Sequence, residues 1–274
     1  MIQIMQLGNP LRMRRLATGI LVALIFLVPI VYVVMISFES SAQFGAHPMQ
    51  PPVPPSVGNF GSAWQQGDLG PEILNTSLYA VVAAGISTGL SLLIAFPVAR
   101  RLVRWSSSLY HWFVVGLALP VSYIPLFVEA RDLGLYNNRI GYILLHVEPG
   151  LPLGVILLTA FVSSIPQEMD EAAWLEGASY PRYIVSFVMP LAWPSIVITF
   201  LYSLLFVWND IIGPVVFLAS PSLFPVARGV YSFYSSNESA YTLLAAAVMI
   251  VSAPVALLFI VSQKQLLRAT MGLR

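Results

Sequence analysis

The sequence predicts an all-α integral membrane protein with six transmembrane helices. Hydrophobic residues make up 58% of the 274-residue chain and charged residues only 9%, whereas globular proteins carry about 45–50% and about 25%. Six apolar runs reach the ~20 residues that a helix needs to cross a bilayer. The segments between these runs differ sharply in lysine and arginine content, which predicts how the chain is oriented.

The predicted spans lie at residues 18–38, 76–99, 109–127, 140–161, 195–219 and 241–262. Arginines precede the first run, but it exceeds the ~7–15 apolar residues of a signal peptide, so we expect it to remain as a span. The fourth run contains Glu148-Pro149-Gly150, which predicts an interruption. Gly213-Pro214 predicts a second interruption in the fifth run, near its polar pair Asn209 and Asp210.

Orientation follows from the basic residues. With the N-terminus inside, inner segments hold ten of the thirteen lysines and arginines and outer segments hold three. This excess predicts that both termini and the segment 163–194 are cytosolic. The first outer segment, 39–75, has no lysine or arginine and is rich in proline, so it reads as a semi-rigid external arm with a short polar helix at 59–66.

The residue types that are absent or rare in this sequence exclude most enzyme classes. The chain has no cysteine, its single lysine is Lys264 after Gln263, and its three histidines are far apart. A Walker A loop needs Gly-Lys-Ser/Thr, and a zinc-protease helix needs two histidines four residues apart. We therefore expect no catalytic residue, no metal site and no ATP site in this chain. No basic stripe predicts nucleic-acid binding.

The segment 163–194 differs from its apolar surroundings, because four of the chain's twelve carboxylates fall within nine residues. Ser164 and Gln167 have the spacing of a capping box, and good helix formers follow. Gly177 suits a left-handed helix end, and Ser179 with Pro181 suits a second helix start. The segment predicts two short helices joined at a glycine.

This segment resembles the EAA loop of ABC-importer permeases. Glu171-Ala172-Ala173, Gly177 and Met189-Pro190 match the family pattern, although Glu176 stands where the family usually has aspartate and Met189 where it usually has leucine. Ile165-Pro166-Gln167-Glu168 and Trp208-Asn209-Asp210 match weaker family elements. The resemblance covers about 240 residues and is closest to the maltose-type second permease of the carbohydrate-uptake branch.

The resemblance implies a type I ABC-importer permease fold, with 1–274 forming one transmembrane permease domain behind a cytosolic tail at 1–15. It implies a homologous second permease, two cytosolic ATPases that bind ATP and Mg²⁺, and an extracytoplasmic solute-binding protein. The implied location is the bacterial cytoplasmic (inner) membrane. Sugars, amino sugars, polyols and glycerophosphodiesters are the implied substrates, and either permease could hold most substrate contacts.

Under this resemblance the cytosolic segment is a coupling helix that docks in an ATPase groove. Its acidic face would meet basic residues, and its alanines and tryptophan would pack in the groove. The alternative is an ordinary solvated amphipathic loop. The predicted coupling residues are Glu168, Asp170, Glu171, Ala172, Ala173, Trp174, Glu176 and Gly177.

Five polar or aromatic residues in the fourth and fifth runs are candidates for the substrate pathway: His146, Glu148, Trp208, Asn209 and Asp210. A charge at mid-membrane costs about 2.5–3.5 kcal/mol, so it should avoid lipid. Either of two roles fits Asp210, lining of the pathway or a polar lock between helices. For Glu148 the alternative to a pathway role is a position near the membrane surface, where water hydrates the carboxylate. Tyr142 or Trp208 could stack on a sugar ring.

Two further expectations concern packing and energy source. Gly85-x-x-x-Gly89 predicts a close helix contact, within this chain rather than with another. An ion-gradient-driven secondary transporter is the main alternative function and would need paired intramembrane charges, for which only Glu148 and Asp210 are available. A membrane-embedded enzyme is a weaker alternative, because the inventory offers no nucleophile–base cluster.

Overall fold

A computed structural model describes residues 10–236 and 241–271, and its regular structure in that part of the chain is helical. Fourteen α-helices are seen among the described residues. Residues 1–9 of the predicted N-terminal tail lie outside the described residues, and residues 10–15 of that tail belong to the first helix. The helices are α1 Pro10–Ser37, α2 Ser41–Ala46, α3 Gly58–Gln66, α4 Leu69–Ala99, α5 Ser106–Gly116, α6 Tyr123–Asp132, α7 Arg139–Leu145, α8 Leu151–Ser164, α9 Gln167–Leu175, α10 Tyr180–Tyr183, α11 Met189–Trp208, α12 Ile212–Phe217, α13 Val226–Ser236 and α14 Tyr241–Met271.

Five of the six predicted spans overlap helical segments of sufficient length, although the fifth, predicted at 195–219, is displaced toward the N-terminus and begins at Tyr180, inside the segment 163–194 that was predicted to be cytosolic. By length and composition these five can cross a membrane: Leu16–Ser37, Leu69–Ala99, Arg139–Ser164, Tyr180–Trp208 and Tyr241–Leu267. Their lengths of 22 to 31 residues exceed the ~20 needed. The second begins at Leu69, earlier than the predicted residue 76, so the external arm is shorter than predicted.

The predicted third span, 109–127, is not one continuous helix. α5 ends at Gly116 and α6 begins at Tyr123, with an irregular stretch at 117–122 between them. Pro120 lies in that stretch and cannot donate a backbone hydrogen bond, which ends helices in this way. A membrane-spanning helix at 109–127 therefore stays a prediction.

The fourth and fifth spans are interrupted differently from the prediction. Glu148–Gly150 forms a single 3₁₀ turn that joins α7 to α8, so the predicted interruption is present but mild. In the fifth run α11 already ends at Trp208, and α12 begins at Ile212. The polar pair Asn209 and Asp210 therefore occupies the break itself, ahead of Gly213-Pro214.

The described residues divide into two compact units, residues 10–67 with 232–236 and 241–250, and residues 68–231 with 251–271. In the first unit the arm folds back on the end of α1. The Asn59 side-chain amide donates to the carbonyl oxygens of Ser37 and Glu39 at 2.9 and 2.7 Å, and Phe38 packs on Phe60. The predicted polar helix is present as α3.

In the second unit α4, α8 and α11 pack closely around two glycines. A Cβ atom at Gly154 would collide with Ser91 and Thr199, and one at Gly150 would collide with Ser87 and Ser203. Only glycine fits these positions.

The prediction for Gly85-x-x-x-Gly89 was wrong. Nothing lies within 4 Å of a Cβ atom built at either residue, and both residues are exposed. Contact with another chain remains as the alternative prediction for this pair.

Candidate functional site

The segment predicted to couple begins with a well-formed helix. α9 spans Gln167–Leu175, with Pro166 at its N-cap and Glu168 and Asp170 in its first turn. Carboxylates there interact favourably with the helix dipole. The predicted capping box is absent, because Pro166 rather than Ser164 caps the helix and the Ser164 hydroxyl donates to the Phe161 carbonyl instead.

α9 ends at Gly177, as predicted. Gly177 has a φ of +76°. The Ala178 amide donates to the Ala173 carbonyl and the Gly177 amide to the Trp174 carbonyl, both at 3.0 Å. These two bonds form a Schellman motif, which needs a left-handed residue at Gly177.

The second predicted helix follows directly. Ser179 lies at the N-cap of α10 and Pro181 in its first turn. A π-helical turn, Ile184–Val188, then leads into α11. Between the end of α9 at Leu175 and Trp208, the only non-helical residues are 176–179. They are the turn at Glu176 and Gly177 and the two residues that follow it.

An internal ion pair holds α9 against the end of α4. Arg100 contacts Asp170 through Nε–Oδ2 at 2.5 Å and Nη2–Oδ1 at 3.1 Å. The Tyr183 hydroxyl donates to the same carboxylate, and Arg100 also donates to the Ile165 carbonyl at 2.9 Å. The two charged side chains are 5% and 11% exposed, so this is a buried pair.

This ion pair changes the predicted coupling face. Asp170 points into the protein instead of joining the acidic surface, and Ala173, 4% exposed, lies in a core cluster with Phe96, Val162 and Tyr183. The groove contacts predicted for Asp170 and Ala173 therefore do not fit this arrangement. The remaining predicted residues are exposed, namely Glu168, Glu171, Ala172, Trp174, Glu176 and Gly177.

Two exposed apolar residues of α9 were missed by the sequence analysis, Met169 and Leu175. Leu175 is 89% exposed, next to the 44% exposed Trp174. The exposed face therefore combines three carboxylates with apolar side chains. A mixed face on a short helix, fixed to two spans from behind, suits docking to a partner better than free solvation.

A second polar cluster forms at the break after α11. Asp210 accepts from His146 Nε2 at 2.8 Å, from the Tyr142 hydroxyl at 3.0 Å and from the Gly213 amide at 3.0 Å. The Asp210 side chain is 10% exposed and that of His146 is 7% exposed. These contacts fasten the start of α12 to α7.

His146 also contacts the helix that precedes it. Its Nδ1 atom lies 2.8 Å from the carbonyl oxygen of Tyr142 in α7, so the ring is held between that carbonyl group and the Asp210 carboxylate.

The other pathway candidates are not part of this cluster. Trp208 is buried at 7% exposure, as is Tyr142 at 1%, so neither ring is free to stack on a sugar as predicted. Asn209 is exposed, and its amide donates to the Leu205 carbonyl. Glu148 is exposed and lines a separate cavity of about 310 Å³ beside the 117–122 break, together with Glu129.

Removing the Asp210 side chain is expected to harm folding before it harms transport. Asp210→Ala leaves the buried donors of His146 and Tyr142 without an acceptor, and each unsatisfied buried group costs about 1–3 kcal/mol. We expect a clear loss of monodisperse detergent-extracted protein, measured by fluorescence size exclusion.

The matched control for Asp210→Ala is Glu148→Ala, whose carboxylate is exposed and should be dispensable for folding. Asp210→Asn, which keeps an acceptor, should restore most of the yield. Normal yield with lost uptake in Asp210→Ala would instead return Asp210 to the substrate pathway.

The fold is that of a protein with several helices able to span a membrane and a short exposed helix, α9, and comparisons with known proteins identify its class. A putative ABC transporter permease of Streptomyces antibioticus is 30% identical over 61% of this chain and 74% of its own length. The chain belongs to the ABC transporter permease family. No protein-family model matches it.

Other relatives carry more specific names. The diacetylchitobiose uptake permease of Streptomyces coelicolor is 29% identical over 90% of this chain and 83% of its own length. The melibiose/raffinose/stachyose import permease of Bacillus subtilis is 28% identical over 76% and 77%. A bacterial transporter that imports alginate has the same fold, with a TM-score of 0.81, 22% identity and coverage of 95% and 99%.

Proposed function

We propose that this permease subunit imports a carbohydrate or carbohydrate-like solute, powered by ATP that separate subunits hydrolyse. The relatives named for diacetylchitobiose and for melibiose, raffinose and stachyose support the substrate class. The observation that carries the coupling role is α9, a short helix anchored from behind by Arg100 and Asp170. It presents Leu175 and three carboxylates outward.

The anchoring explains how motion would pass through α9. Asp170 links α9 to the end of α4 through Arg100 and to α10 through Tyr183. A push on the exposed face would therefore move two spans together. Alternating access needs such a bistable connection between the nucleotide-driven partner and the spans.

The proposed assembly contains a homologous second permease, two ATPases that bind ATP and Mg²⁺, and an extracytoplasmic binding protein. A second solved alginate transporter, in complex with a pentasaccharide-bound periplasmic protein, shares the fold with a TM-score of 0.66 and 16% identity over 92% of each chain. The chain itself would perform no covalent chemistry.

The break at 117–122 and the cavity beside it are the best candidates for a wet pathway. Irregular backbone at membrane depth is tolerated where it lines a cavity or is buried in protein, and residues 117–122 are exposed in this chain. Glu148 and Glu129 line the adjacent cavity. The His146–Asp210 pair has intrachain partners, which favours the polar-lock role.

We further propose that the protein resides in a bacterial inner membrane with both termini in the cytosol. A cysteine placed at the exposed Ala46 should react with an impermeant maleimide in intact cells, whereas one at the exposed Ser107 should react only after permeabilisation. The native chain has no cysteine, so this subunit gives no background. The reverse labelling pattern would overturn the orientation inferred from basic residues.

Uptake by intact cells tests the proposed function. Cells with and without this chain are given radiolabelled diacetylchitobiose or melibiose, and either arsenate or a protonophore. We expect chain-dependent uptake of at least one sugar that arsenate abolishes and that survives the protonophore while glycolysis supplies ATP. Uptake that the protonophore alone abolishes would favour the ion-gradient alternative, and no chain-dependent sugar uptake would contradict the substrate class.

A further inference from the structure

A cavity of about 580 Å³ lies between the end of α4, the start of α5 and the end of α8. Neither the coupling helix nor the proposed pathway uses it. Arg101 and Arg104 line it together with the hydroxyl-bearing residues Ser107, Tyr110 and Thr159. No carboxylate is among its lining residues. The cavity therefore presents positive charge and hydrogen-bonding groups.

Backbone geometry separates the two neighbouring arginines at the end of α4. Arg100 is turned inward to Asp170. Arg101 has a φ of +54°, a left-handed conformation that non-glycine residues seldom adopt. This turn ends the run of helix, and Arg101 lines the cavity instead of joining the ion pair. The adjacent arginines thus have different partners, and Arg101 has no carboxylate partner among the cavity residues.

Two unsatisfied polar features point to a bound anion. Thr159 is 8% exposed, and its hydroxyl oxygen has no hydrogen-bond partner among the described residues. The first turn of α5, an 11-residue helix, begins without a side-chain cap. Free amide groups at a helix start attract anions. Two arginines and an uncapped helix start therefore lie at one cavity, and the unpaired Thr159 hydroxyl lies within its wall.

The residues that adjoin the cavity along the chain are apolar, and we call them its rim. Leu102 and Trp105 lie on either side of the cavity-lining Val103 and Arg104 and are 59% and 69% exposed, and Val103 is 45% exposed. Tryptophan is enriched where a membrane protein crosses the headgroup region. A ligand with an anionic head and apolar chains would match both the cavity and its rim.

We propose that the phosphate group of an anionic phospholipid from the cytosolic leaflet binds in this cavity. Basic pockets between transmembrane helices on the cytoplasmic side are suited to anionic headgroups, and arginine forms bidentate bonds with phosphate. The acyl chains would lie along the exposed apolar rim. This proposal rests on the cytosolic placement of residues 100–106 proposed above.

The location suggests what the lipid does. Ser163, close before α9, also lines the cavity, and Arg101 adjoins the Arg100 that anchors α9. A bound headgroup would hold the end of α4 against the end of α8. We therefore expect the lipid to stabilise the support on which the coupling helix rests.

Lipid retention by the purified complex tests the proposal. The complex is incorporated in nanodiscs of phosphatidylcholine with phosphatidylglycerol, and retained lipid is counted by native mass spectrometry. We expect phosphatidylglycerol to be retained in preference, and Arg101→Gln with Arg104→Gln to lose at least several-fold of that retention. The lysine double variant at the same positions should regain part of it, which separates lost charge from misfolding.

The matched control removes two other exposed arginines on the same predicted side, Arg14→Gln with Arg182→Gln, and should keep the lipid. Equal retention in both double variants would overturn the proposal. Binding of inorganic phosphate that depends on Arg101 and Arg104, in a complex that retains no phosphatidylglycerol, would identify a free anion as the ligand and reject the lipid source. Labelling at Ser107 reports the membrane side separately, so a wrong orientation is distinguishable from an empty site.

Discussion

Asp170→Asn is expected to destabilise the permease far more than Glu171→Gln, although the two acidic residues are neighbours in one helix. Asp170 is paired with Arg100 in a buried site, whereas Glu171 is exposed. Removing one partner of a buried ion pair costs about 3–5 kcal/mol, because the other charge stays buried without compensation. Thermal unfolding of the detergent-solubilised protein should show a lowered midpoint for Asp170→Asn only.

A double variant tests whether the charges of Arg100 and Asp170, rather than the space that their side chains fill, hold α9 in place. Arg100→Met with Asp170→Leu removes both charges and leaves apolar side chains, which is often neutral for stability. We expect its unfolding midpoint to lie between those of Asp170→Asn and the wild type, because the Tyr183 hydroxyl and the Ile165 carbonyl lose their partners. Equal midpoints for Asp170→Asn and Glu171→Gln would contradict the anchoring role of the pair.

Gly177→Val is expected to uncouple ATP hydrolysis from transport while the protein still inserts in the membrane. The φ of +76° at Gly177 is strongly disfavoured for a β-branched residue, and such strain costs on the order of 1–3 kcal/mol. No atom lies within 4 Å of a Cβ atom there, so the strain is in the backbone. The α9 end should shift, and substrate-dependent ATP hydrolysis by the complex should fall several-fold.

Gly134 provides the control for this experiment. It also has a positive φ, +69°, with free space around its Cβ position, but it belongs to the turn after α6 and is remote in sequence from α9. Gly134→Val should carry a similar backbone cost without uncoupling. Gly177→Asn should be milder than Gly177→Val, because asparagine tolerates the left-handed region. Wild-type coupling in Gly177→Val would remove the support for a required glycine turn.

Local sequence signals predicted the helices and the turn of the segment 163–194. The helix from Gln167, the left-handed turn at Gly177 and the second helix start at Ser179 all depend on residues within a few positions of each other. Five helices able to span a membrane were likewise predicted from apolar runs. Such features are local, so one sequence suffices to find them.

Contacts between distant residues explain what the sequence could not show. Arg100 and Asp170 are 70 residues apart, and His146 and Asp210 are 64 apart. Nothing in the pattern indicated that Asp170, alone among four clustered carboxylates, turns inward. The run 109–127 was predicted as one whole span for another reason. Hydropathy measures how apolar a run is, and the run 109–127 stays apolar through a proline that ends the helix.

Cross-linking from the tip of α9 tests the central claim most directly. A cysteine replaces Leu175, 89% exposed, and is loaded with a photoactivatable maleimide in native membranes, with a cysteine at Ala46 as the control. We expect the Leu175 position to yield an adduct with a Walker A-containing ATPase subunit, identified by mass spectrometry, and its yield to change when ATP is trapped with vanadate. Adducts with lipid alone, or the same products from both positions, would contradict the docking of α9 on an ATPase.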